Sequence, residues 1–133
     1  MTTPAELPIH GNSDIVLIRQ RVRTAAVEVG LSLVDQTKVV TAASELARNA
    51  LVYAGGGQVR IEVVHNGLRQ GLRLAFSDEG PGIPDLDQAL TDGWTTGGGL
   101  GLGLSGSRRL MDEFELKSAP GEGTLVTVTK WAR

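Results

Sequence analysis

The chain has no cysteine among its 133 residues. Disulfides and thiolate metal sites are therefore excluded, which fits a reducing compartment. It has no surplus of positive charge either, with 13 Lys and Arg against 15 Asp and Glu and a formal net charge of −2. That removes the electrostatic footprint of a nucleic-acid binder. A bound polyanion would have to be held by local dipoles, a metal or a few placed side chains. No apolar run approaches the ~20 residues that span a bilayer. The opening MTTPAELPIHGNSD has neither the basic start nor the apolar stretch of a secretory signal. The expectation is a small cytoplasmic protein with no nucleic-acid and no membrane partner. His10 and His65 stand far apart, in no metal-ligand spacing, and read as surface histidines.

What the chain does have is an ordinary soluble composition, 41% hydrophobic and 21% charged. Its length suggests a single domain over residues 1–133. A chain of this size buries roughly 65–70% of its unfolded surface, enough for a real core. The unusual number is 18 glycines. Five of them lie between Gly97 and Gly103, and Gly106 follows. No repeat or Ser/Pro-rich tract accompanies them, so neither collagen nor a linker explains them. Glycines interleaved with leucines suggest a backbone that must approach something closely.

Apolar periodicity places the elements. Leu7 to His10 reads as a short edge strand. Ser13 or Asp14 can cap a helix carrying Ile15, Ile18, Val22, Ala25, Ala26 and Val29 at helical spacing, which Gly30 stops. Ser32 and Asp35 open a second helix running to about Ala54, with Val40, Ala43, Ala47, Ala50 and Leu51 on its apolar face. The period then changes to two. Val59, Ile61 and Val63 form one strand. Leu72, Leu74 and Phe76 form the next, after a turn at Asn66-Gly67. Phe114 with Leu116, and Val126 with Val128 up to Trp131, form two more. Each strand has one apolar face, whereas a doubly covered parallel sheet reads as continuous apolar runs. The fold class expected is α/β: a two-layer sandwich with a mixed, mostly antiparallel sheet and helices on one face. The order is β-α-α-β-β-α-β-β.

Three motifs carry chemistry. Glu45 and Asn49 sit four apart on the second helix and share a face. An amide oxygen can ligate Mg²⁺, and a carboxylate beside it can take a proton from a hydroxyl or water. The same pair also reads as a solvated helix face. Asp78-Glu-Gly-Pro-Gly-Ile83 follows a strand. It guarantees a turn, and its aspartate can accept from an exocyclic amine while Gly80 and Gly82 admit a flat ring. A plain strand-to-helix turn fits it equally. Gly97-Gly-Gly-Leu-Gly-Leu-Gly-Leu104 precedes a helix over 105–111. Successive N–H groups and a helix N-terminus form an anion cradle without lysines. A flexible loop explains the glycines but not the interleaved Leu100, Leu102 and Leu104.

Two lookalikes fail. Gly101-Leu-Gly-Leu-Ser-Gly106 matches G-x-G-x-x-G, yet no strand precedes it and only 27 residues follow. The early Gly-rich loop, strand lysine and catalytic loop of a conventional protein kinase are missing, as is a P-loop.

In this order the motifs resemble the N, G1 and G2 boxes of the ATP-binding superfamily shared by gyrase, Hsp90, histidine kinases and MutL, whose fold is the Bergerat type. The likeness extends through Val34-Asp-Gln36, Ser44-Glu-Leu-Ala-Arg-Asn49, Tyr53-Ala-Gly55, Asp78 to Pro84, Gly98-Gly-Leu-Gly101, Arg109 to Phe114, Gly121-Glu-Gly-Thr124 and Lys130-Trp131. Over nearly the whole chain it is similar to the RsbT-type serine-protein kinases of bacterial stress signalling. The resemblance implies ATP and Mg²⁺, with Asn49 as the metal ligand and Glu45 activating the attacking hydroxyl. It implies Asp78 as adenine reader, Gly80 and Gly82 framing the base, and Thr124 near the adenine. Gly99, Gly101, Gly103 and Leu104 become phosphate-loop positions. STAS-domain proteins are the implied substrates, within a stressosome or partner-switching module, and a PP2C-type phosphatase the second partner. The same fold also serves as an anti-sigma factor that sequesters a sigma factor. About 14 residues separate Gly82 from Gly97, which suggests a compact lid with Trp94-Thr95-Thr96 at its moving part. Dimerisation helices and an acceptor histidine domain are missing, which argues against a histidine kinase.

Overall fold

The computed structural model describes residues 4–82 and 103–133. Within them the order is β1 (Ala5–Ile9), α1 (Asn12–Glu28), α2 (Leu33–Ala54), β2 (Gly57–Asn66), β3 (Arg69–Asp78), α3 (Gly103–Leu110), β4 (Glu113–Ser118) and β5 (Thr124–Trp131). The strands form one sheet in the order β1-β2-β3-β5-β4. Each neighbouring pair is antiparallel. The two-layer expectation holds, since the buried faces of α1, α2 and the sheet merge into one core.

The strand register explains the core. Leu7, Val59, Phe76, Val126 and Leu116 line up across the five strands. Ala5, Ile61, Leu74, Val128 and Phe114 form the next row. Side chains alternate faces along a strand, so both rows point the same way, toward the helices. The opposite face is polar, with Arg60 between Glu6 and Glu62 and Arg73 beside Glu113. Leu72 and Leu74 are fully buried, and truncating either to alanine would cost about 2–5 kcal/mol.

The start of α1 differs from expectation. α1 starts at Asn12 with Gly11 as N-cap and no side-chain cap. Ser13 lies inside the first turn. Asp14 instead reaches back, its Oδ2 accepting from the His10 N–H at 2.8 Å. A carboxylate there still satisfies an otherwise orphaned donor and favours the helix dipole. At the other end the Leu31 N–H donates to the Ala26 carbonyl and the Gly30 N–H to that of Val27. This is the glycine-terminated closure that Gly30 announced. α2 opens as expected, with Ser32 Oγ accepting from the Asp35 N–H at 3.1 Å. Its buried set includes Val39, Ala42 and Leu46 beyond the stripe read from periodicity. α2 is central, touching α1, α3 and four strands, β1, β2, β3 and β5, so more than one face is covered.

One charge enters the core face. Lys130 follows Val126 and Val128 in phase on β5 and is buried. Its ammonium donates to the Leu110 carbonyl at 3.1 Å and pairs with Asp112 at 3.4 Å and Asp35 at 3.8 Å. It thereby ties the end of α3 to the start of α2.

Candidate nucleotide site

The site lies where the apolar face of the sheet turns polar. Beyond Phe76, Asp78, Thr124 and Ser118 share one row across β3, β5 and β4, and Ile9 pairs with Gly57 across β1 and β2. Asp78 and Thr124 are direct cross-strand partners. Both are half-buried, as is Ser118. These polar side chains occupy the same phase as Phe76, Val126 and Leu116, so they point to the helix side but at the rim of the core.

Asp78 Oδ1 accepts from the Gly80 N–H at 2.9 Å, which folds the turn back over the strand end. Gly80 stands against α2, where a Cβ would come 2.5 Å from the Ala54 methyl. Gly82 stands against the β4–β5 turn, where a Cβ would meet the Ala119 carbonyl oxygen at 2.0 Å with the backbone at φ +79°. The Gly121 N–H donates to the Pro81 carbonyl at 2.8 Å. The two glycines therefore dock the Asp78–Gly82 turn between the end of α2 and the β4–β5 hairpin.

Glu45 and Asn49 are both half-buried on α2, flanking the buried Leu46 and Ala50, while Arg48 between them is exposed. Neither takes part in a hydrogen bond or ion pair among the described residues. Both stand at the rim of the core, partly covered. With Ala54 touching the Asp78 turn, Asn49 lies about 7–8 Å back along the helix and Glu45 about 13–14 Å, at the usual rise per residue. Asn49 and Glu45 thus stand progressively farther from the Asp78 turn along the helix axis.

Gly103 and Leu104 belong to the first turn of α3 rather than to a loop ahead of it. α3 packs on α2, and Leu104 packs against the core. Its first-turn N–H groups have no helical partner and carry the positive end of the dipole. Gly99 and Gly101 lie outside the described residues, as do Ile83, Pro84 and Trp94-Thr95-Thr96. His10 and His65 are exposed, and the described residues contain no cluster of three or more His, Cys, Asp or Glu suited to a metal ion.

Two residues beside the site were not singled out from sequence. Gly57 faces Asp78 across β2–β3, where a Cβ would meet the Ser77 carbonyl oxygen at 2.3 Å and Asp78 Cβ at 3.2 Å. Ser118 touches Thr124 at 2.9 Å. A signal existed for Ser118. It occupies the apolar phase of β4, two residues after Leu116, as Asp78 follows Phe76 and Thr124 precedes Val126. Three strands place a polar residue in their apolar phase at one end.

Comparison with known proteins points the same way. Residues 34–133 match the family described as histidine kinase-, DNA gyrase B-, and HSP90-like ATPase. The chain is 52% identical to serine/threonine-protein kinase RsbT of Bacillus subtilis (strain 168), over 90% of each chain. It is 29% identical to the anti-sigma F factor of Caldanaerobacter subterraneus subsp. tengcongensis, over 85% of this chain and 82% of the relative. The crystal structure of the RsbU and RsbW domains of a Mycobacterium tuberculosis protein superposes with a TM-score of 0.69 at 20% identity. That match covers 99% of this chain and 33% of the other, and it shows the fold.

Proposed function

Since the chain belongs to the histidine kinase-, DNA gyrase B-, and HSP90-like ATPase family, in the branch that holds RsbT, we propose that it is a serine/threonine-protein kinase. It transfers the terminal phosphoryl group of ATP to a hydroxyl of a STAS-domain protein in a partner-switching stress module. A PP2C-type phosphatase is its second partner, and residues 1–133 act as one cytoplasmic domain. The carrying observation is that Asp78 and Thr124 are cross-strand partners at the rim of the core, beside the Gly80–Gly82 turn and the end of α2, the helix that also carries half-buried Asn49 and Glu45.

The roles follow from that arrangement. Asp78 accepts from the adenine amine, with Thr124 beside it. Gly80 and Gly82 keep the base edge open. The first-turn N–H groups at Gly103 and Leu104, together with Gly99 and Gly101, receive phosphate oxygens, so that no lysine is required. Asn49 suits Mg²⁺, because its amide oxygen is a hard ligand. When bound, Mg²⁺ would draw charge from the phosphates. Glu45, farthest along α2, accepts the proton of the attacking hydroxyl. The rest of the rate comes from positioning and charge stabilisation.

Similarity to the anti-sigma F factor favours a second reading, in which binding a sigma factor is the main output. Incubation with γ-labelled ATP, a STAS-domain protein and a sigma factor separates the two. Label on a STAS serine or threonine supports the kinase. Tight sigma binding with no label on the STAS protein replaces it with the anti-sigma reading.

A further inference from the structure

Three stretches of the family resemblance have no part in the proposed site: Val34-Asp-Gln36, Arg109 to Phe114 and Lys130-Trp131. They meet at one ammonium. Lys130 is 5% exposed. Its Nζ faces three oxygens, the Leu110 carbonyl at 3.1 Å, Asp112 Oδ1 at 3.4 Å and Asp35 Oδ1 at 3.8 Å. Leu110 ends α3, and Asp35 lies in the first turn of α2. A cation is favoured at the C-terminal end of a helix and an anion at the N-terminal end, so each helix end suits the charge it meets. Apolar residues in place of a buried ion pair often give equal stability. What the ammonium supplies beyond them is a fixed position for groups on two helices.

α3 needs such a fix. It has eight residues, too few to be stable without its packing. Its buried middle is Ser105, Gly106 and Ser107, which bring little apolar area to the contact. Leu104 and Leu110 pack against the core but are only partly buried. We propose that Lys130 is a positioning residue for the phosphate end of the site: by tying the last turn of α3 to the first turn of α2, it fixes where the first-turn N–H groups of α3, at Gly103 and Leu104, stand beside α2. Without the ammonium, α3 is free to shift on α2. Its donors then lose their alignment on phosphate oxygens, and hydrogen bonds weaken steeply with misalignment. The base end does not depend on Lys130. The Asp78 turn is docked on Ala54, at the other end of α2, and on the β4–β5 hairpin. The inference rests on the nucleotide reading proposed above.

The test compares ADP with adenosine, which share the base and differ in the phosphates, using the full chain. ADP is titrated by calorimetry and adenosine by NMR chemical shifts, where weak binding is still measurable. Lys130→Met keeps the length of the side chain and removes its charge. ADP affinity should fall about tenfold, the scale of one or two lost hydrogen bonds to a charged group, while adenosine affinity stays within about twofold. Asp35→Asn cuts only the link to α2 and leaves Lys130 on Leu110 and Asp112. It should shift ADP in the same direction by less, and it stands in if Lys130→Met does not fold. Unchanged ADP affinity in Lys130→Met, or in Asp35→Asn where that stands in, overturns the proposal. So does an equal loss for ADP and adenosine, which is what a merely structural lysine would give. Asp78→Asn run in parallel keeps the two failures apart. It should weaken both ligands. If it weakens neither, the nucleotide site itself is misplaced. If it weakens both while the Lys130 comparison is flat, only the role of Lys130 is lost.

Discussion

At the scale of single residues, the proposed roles separate binding from chemistry along α2. Glu45 lies about 13–14 Å of helix rise from the Asp78 turn, too far to touch a base held there. Glu45→Ala should therefore keep ADP affinity while phosphoryl transfer falls by about 10²–10⁴, the usual worth of general-base help. Transfer at the wild-type rate, measured with label on the partner, removes Glu45 from the mechanism. Asp78→Asn keeps shape but replaces a charged acceptor by an amide that can turn a donor inward. Hydrogen bonds to charged groups contribute about 1.5–3 kcal/mol. Nucleotide affinity should thus drop by roughly ten- to a hundredfold, read by calorimetry. An unchanged affinity would contradict the adenine assignment.

At the scale of elements, α2 is the ruler on which the site is laid out, and its two ends are held differently. The C-terminal end is closed by Gly55 in the left-handed conformation and meets Gly80 through Ala54. The N-terminal end depends on the Ser32 cap and on Asp35, which faces Lys130. Ser32→Ala should cost about 0.5–2 kcal/mol, a fall of several degrees in melting temperature for a chain of this size. Nucleotide affinity should move little, because the cap is at the far end of the helix from Asp78. Equal melting temperatures by circular dichroism would show that Asp35 and Lys130 hold this end without the cap. Element identities were legible because the periods are strong. Ile15, Ile18, Val22 and Ala26 repeat at helical spacing, and Leu72, Leu74 and Phe76 at strand spacing. Ends were less legible. The first cap moved to Gly11, and the third helix begins at Gly103 rather than 105. Serine, aspartate and glycine suit several end positions, and packing chooses among them.

At the scale of the whole molecule, one polar network joins layers that the apolar core alone would leave to slide. Asp112 accepts from the Trp131 N–H at 2.8 Å, from Lys130 at 3.4 Å and from Arg133 at 2.8 Å. Burial pushes its carboxyl upward, but the Trp131 N–H and the Lys130 and Arg133 charges outweigh burial and hold it below the usual carboxylate range. A depressed folded-state value means that the stabilisation is present above the unfolded pKa, about 3.9. It is lost as pH falls through the folded value. Asp112→Asn should therefore be less stable near neutrality and should lose less stability than the wild type on acidification below about pH 4. Parallel acid limbs in urea melts would show that Asp112 does not carry that dependence.

The sequence by itself determined the element order, the one-sided burial of the strands and the types of side chain available for ATP. Those depend on local period, turn chemistry and motif spacing, which the chain states directly. Only the tertiary structure decided that Asp78, Thr124 and Ser118 share one row, that Gly57 faces Asp78, and that Lys130 enters the core between Asp35 and Asp112. The register of strands 46 or more residues apart is chosen by burial of whole rows. No local signal sets it. The arrangement of groups beside the glycine turn is thus a product of register and helix packing.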